Sequence, residues 1–136
     1  MLSQLKIVHA DLRDAIAALE KVVSRPAPEG EALSAARLRL SRISRQRRSL
    51  IECTILPLLH DVPPAAAAEI ADLRLEAARL LVESSSHIGA WTMRAIVADW
   101  AGYQRASAGM RASMLRRIDR EARLLYPLLE KRPAAA

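Results

Sequence analysis

Phenylalanine is absent from the 136 residues, and two tryptophans and two tyrosines make up the whole aromatic complement. So few rings offer no stacking platform for unpaired bases, on which binders of single-stranded nucleic acid rely. One cysteine, Cys53, excludes an internal disulfide. Only four glycines are present. They form no phosphate-cradling loop, and there is no G-x-S-x-G elbow and no Cys-His pair with a third orienting group, so catalysis finds no motif. No apolar run approaches the roughly 18 residues of a membrane span. No charged-then-apolar leader precedes the first periodic segment. These absences predict a cytoplasmic chain that is not an enzyme and has no membrane partner.

What is there is mostly alanine, leucine and arginine. At 136 residues the chain has the length of one domain, enough to bury a core without disulfide staples. The formal net charge is +6 and the pI near 10.4, yet only Lys6, Lys21 and Lys131 are lysines. A positive excess suits an anionic partner. However, Arg37, Arg39, Arg42, Arg45 and Arg48 lie on the outward side of one helical pattern and read as its solvated cover. Nucleic acid or another anion is therefore the weakest of the functional readings.

Apolar positions recur at alternating spacings of three and four, with no period-two run that would read as a strand. The first stripe is Leu2, Leu5, His9, Leu12, Ile16, Leu19 and Val23, ending at S-R-P-A-P-E-G. The second runs from Leu33 through Leu40, Ile43, Arg47, Leu50 and Thr54 to Leu58, where Pro57 and H-D-V-P-P impose a turn. The third opens at Pro64, a favoured place for proline, and passes Ile70, Leu73, Ala77, Leu80, Ser84, His87 and Trp91. Its S-S-S-H-I-G-A segment is a poor helix former, so a bend or break is expected there. A connection over Met93 to Ala98 leads to Asp99, the expected N-cap of a last helix reaching about Glu130. Four helices joined by short turns predict an all-α, antiparallel up-down-up-down four-helix bundle over residues 1–132, followed by a disordered tail, Pro133 to Ala136.

The stripes are not wholly apolar. His9, Arg47, His87, Arg117 and Glu121 all stand on inward positions, and buried charge must be paired, hydrated or bound to a ligand. Met110 and Met114 read as core filler, Cys53 as a small buried hydrophobe, and His60 as a turn residue near a helix C-terminus. Two phrases also repeat. R-R-S-L-I-E-C-T-I-L-P-L-L from Arg47 and R-I-D-R-E-A-R-L-L-Y-P-L-L from Arg117 each place an arginine ten residues before the proline.

Together with H-A-D-L-R-D-A-I-A-A-L-E from His9, these phrases resemble the hemerythrin-like, or HHE cation-binding, domain over roughly His9 to Glu130. In that family the second and fourth helices each carry a histidine followed by a carboxylate and an ending similar to I-L-P-L-L or L-Y-P-L-L. The resemblance implies the bundle fold and a metal layer at its centre. Where the helix-2 histidine should stand this chain has Arg47 or Arg48, and where the helix-4 histidine should stand it has Arg117 or Arg116. A guanidinium has no lone pair for a cation. Of the implied ligand set His9, Glu52 and Glu121 remain, with His87 aligning to a helix-3 ligand.

Two expectations follow. In the first, no cofactor is bound, and Arg47, Arg48, Arg117 and Glu121 form a core polar network. Within it Glu52 or Glu121 accepts from the arginines, and Arg48 to Glu52 and Arg117 to Glu121 are i, i+4 pairs. The module would then sense a small effector or meet an unknown protein partner. In the second, His9, Glu52, His87 and Glu121 hold iron or another divalent cation for oxygen sensing or storage. An end carrying Trp91 and Trp100 is a candidate homodimer face.

Overall fold

The computed structural model describes residues 1–132; the expected tail, Pro133 to Ala136, lies outside the described residues. Every described element is helical. α1 spans Leu2–Val23 and α2 Gly30–Ser49, joined by the short proline-containing link. α3 spans Pro64–Ala90, with its proline in the first turn. α4 is the six-residue Met93–Ala98, and α5 is the long Trp100–Glu130.

Two boundaries differ from the sequence expectation. The segment Met93 to Ala98, expected as a plain connection, is a turn and a half of helix because the Thr92 hydroxyl accepts from the Ala95 amide at 3.2 Å. α3 does not end within its serine run; it continues to Ala90, and His87 there stacks on Tyr103 of α5 with ring centroids 6.0 Å apart. Asp99 caps α5 as its position predicts, accepting from the Gly102 amide at 3.0 Å. A Cβ at Gly102 would lie 2.1 Å from that carboxylate, so glycine is what lets the cap close.

The two proline phrases fold differently. After Ser49, α2 widens into a π-helical segment, Leu50–Ile55, then tightens into a 3-10 turn, Leu56–Leu58, and stops. Pro57 can neither donate an amide nor tolerate the carbonyl four residues back, and the change of register avoids that clash. α5 instead carries Pro127 inside its last turn and ends at Glu130.

α1 packs on α2 and α5, and α3 and α4 on α5. The face of α1 that turns inward is the one its periodicity marks: Leu5, Val8, His9, Leu12, Ala15, Ile16, Leu19, Val22 and Val23 are all buried. Three apolar clusters follow one another along the molecule. One surrounds Leu5, Ile51, Ile55, Leu73 and Leu125; a middle one joins Leu12, Ile16 and Ile118; the third gathers Leu19, Val23, Leu33, Ile96 and Tyr103. Each such side chain contributes about 1.5–3 kcal/mol on burial, so these clusters hold the fold together. By contrast α2 buries only Leu33 and α3 only Leu73, which leaves a cleft between those two helices.

Candidate functional site

Between the first and middle apolar clusters lies a polar layer centred on Glu121, which is fully buried. His9, the neighbour in α1 of Val8, points into it and is 2% exposed. Its Nε2 lies 2.9 Å from Glu121 Oε1, and its Nδ1 lies 2.6 Å from the Tyr126 hydroxyl. Arg117, one turn before Glu121 on α5 and 5% exposed, donates from Nε to Oε2 at 2.8 Å. Arg47 of α2 donates from Nη1 to the same oxygen. Arg117 also donates from Nη1 to the Leu73 carbonyl of α3 at 2.8 Å. One carboxylate thus connects α1, α2, α3 and α5.

The proton positions follow from the partners. An ionised carboxylate can only accept, so His9 Nε2 carries a hydrogen and donates to Glu121. In the neutral ring Nδ1 is then the acceptor for the Tyr126 hydroxyl. Burial pushes the Glu121 carboxyl up, but the His9 hydrogen bond and the Arg47 and Arg117 charges outweigh it and hold the group below the usual glutamate value. Burial pulls the Arg47 guanidinium down; Glu121 opposes this, and Arg117 and Arg48 add to it. A group that starts so basic stays charged. Burial, with the Glu121 charge adding to it against Arg13, raises the Tyr126 phenol, which therefore keeps the proton it donates.

Of the four residues considered as metal ligands, the structure brings together His9 and Glu121 and separates the other two. Glu52 sits on the surface and pairs with Arg74 of α3 at 3.2 Å. His87 lies in the third cluster's neighbourhood, against Tyr103; burial and the nearby Arg37 charge lower its pKa. The level of α3 that meets the polar layer is Leu73, and fourteen residues of helix put His87 about 20 Å further along. Among the described residues no group of three or more His, Cys, Asp or Glu side chains is placed to hold a metal ion. The residues present do not fit an iron centre, because both His9 nitrogens and both Glu121 oxygens already have protein partners.

The arginine alternatives resolve as Arg47 and Arg117. Arg116 is exposed and bonds Ser113 at 3.1 Å. Arg48 does not pair with Glu52. Glu52 lies where the helix has widened to i→i+5 bonding, so the i, i+4 alignment is lost. Neither Arg47 nor Arg117 bonds a histidine. Cys53, expected as buried, is exposed. The tryptophans close the other end: Trp100 Nε1 donates to the Arg25 carbonyl at 2.9 Å, and both indoles pack on Tyr103.

The residue missed by sequence reasoning is Tyr126. It stands in the L-Y-P-L-L phrase five residues after Glu121, off the apolar stripe that Leu124 and Leu128 mark. No helix of the described residues is long and apolar enough to cross a membrane. No family model, no curated protein and no solved structure matches the chain.

Proposed function

We propose that the chain is a divergent hemerythrin-like domain, an up-down-up-down bundle of α1, α2, α3 and α5, that works as a non-enzymatic sensing or protein-interaction module. In it Arg47 and Arg117 supply the positive charge that a metal supplies in that family. The observation that carries this reading is the engagement of Glu121: three helices place His9, Arg47 and Arg117 on its two oxygens. A carboxylate so held is ionised, desolvated and engaged by three donors, and it has no proton to give as a general acid. The short link between α1 and α2 and the packing of α5 against α1 and α3 favour the antiparallel arrangement.

The test is metal loading. Protein purified and exposed to ferrous iron without oxygen retains less than about a tenth of an equivalent after desalting, whereas a tight site would fill. Near-stoichiometric iron that disappears in His9→Ala and Glu121→Ala overturns the reading in favour of a cation-binding protein.

A further inference from the structure

The cleft between α2 and α3 holds two lobes, of about 240 and 250 Å³, and a smaller pocket of about 60 Å³ that shares lining residues with both. Arg48 and Leu81 line all three. The 240 Å³ lobe reaches the Glu121 layer. The 250 Å³ lobe does not; its walls carry Arg37, Arg45, Arg48 and Arg111 and no carboxylate. Among the described residues none of these four forms an ion pair. Other described arginines of this basic chain also lack an acidic partner; what sets these four apart is that they line one cleft together.

Two further features belong to the same lobe. Its floor is apolar, made by Leu19, Leu40, Met110 and Met114, and methionines adapt readily to an irregular guest. On its wall the Ser44 hydroxyl is buried with no hydrogen-bond partner among the described residues. A buried hydroxyl left unpaired is costly, and a polar guest would relieve it. Four guanidiniums sharing one cleft raise the local positive potential, which favours an anion. Guanidinium forks match a carboxylate in shape as well as in charge.

We propose that this lobe binds a small organic anion with an apolar tail, a medium-chain alkyl carboxylate, its head among Arg37, Arg45, Arg48 and Arg111 and its tail over Met110 and Met114. Such a ligand is the effector class of the sensing module, so the inference rests on that reading of the chain. Its seat between α2 and α3, two long helices that each bury a single residue, lets binding draw them together.

The test titrates the whole protein with sodium decanoate, followed by calorimetry and by tryptophan fluorescence. Trp91 and Trp100 report on the lobe because both rings pack on Tyr103, which lines it. One decanoate binds per chain, and 1-decanol and acetate each bind at least about tenfold more weakly, as expected when a charged contact or the apolar contact is removed. The double variant Arg45→Gln with Arg111→Gln weakens decanoate by about tenfold or more at an unchanged melting temperature. Absence of saturable decanoate binding overturns the proposal. So do equal affinities for decanoate and decanol, equal affinities for decanoate and acetate, or an unaffected double variant. Iron is assayed on the same samples: stoichiometric iron beside intact decanoate binding overturns the metal-free reading and upholds the cleft, while iron-free protein that ignores decanoate overturns the cleft alone.

Discussion

Two sets of arginines stand under opposite conditions in this molecule. Arg47 and Arg117 converge on one buried carboxylate that also receives His9. Arg37, Arg45, Arg48 and Arg111 surround a comparably sized space with no carboxylate on its walls. The first set is neutralised within the chain and joins four helices; in the second, Arg111 donates to the Ser107 carbonyl at 3.2 Å and Arg37 lies over the Tyr103 ring, but none meets an acid among the described residues. The same residue type is structural in one place and receptive in the other, and what separates the two is whether an acid stands within reach.

The widest contrast between the sets comes from removing the acid. Glu121→Leu strands the buried Arg117 and half-buried Arg47 guanidiniums and is expected to cost about 3–5 kcal/mol in urea denaturation, the range for breaking a buried pair. A loss below about 1 kcal/mol would mean that water reaches the layer. Next comes a matched pair of arginine replacements. Arg117→Leu removes the Leu73 bond as well as the Glu121 bond and lies at the low end of about 3–5 kcal/mol, since Arg47 and His9 still hold the carboxylate. Arg48→Leu, in the unpaired set, stays within about 0.5 kcal/mol of the parent. Equal costs would erase the distinction.

The same layer sets a dependence on acid. The folded Glu121 pKa is below its ordinary value of 4.5. The unfolded chain therefore takes up this proton first, and the stability that Glu121 contributes is full above 4.5 and lost as pH falls below it towards the folded value. In Glu121→Gln that part of the acid loss disappears; an identical acid limb in both proteins would contradict the pairing.

Much of the helical frame was legible because spacing reports which face of a helix turns inward. The α1 stripe, the Asp99 cap and the proline at the start of α3 all stand where the pattern puts them. Spacing does not report depth. His87 stacks on Tyr103, far from the layer, because α3 meets Arg117 at Leu73, fourteen residues earlier. Glu52 and Arg48 were misplaced by a local cause, the widened turn that Pro57 imposes at the end of α2. The cleft arginines have a sequence signature of their own: Arg37, Ser41, Ser44 and Arg48 recur at spacings of four, three and four, a polar stripe beside the apolar one. As solvated cover those residues needed no partner. As the wall of a cleft they form one surface.

The most direct measurement is the stability of a triple variant, Arg47→Met, Arg117→Met and Glu121→Leu, beside Glu121→Leu alone. If Glu121 serves to neutralise those two guanidiniums, taking all three charges out together recovers most of the about 3–5 kcal/mol that the single change loses, because apolar groups of similar size replace the whole cluster. A triple variant no more stable than the single one would show that the three side chains are not coupled, and the account of the layer would fall.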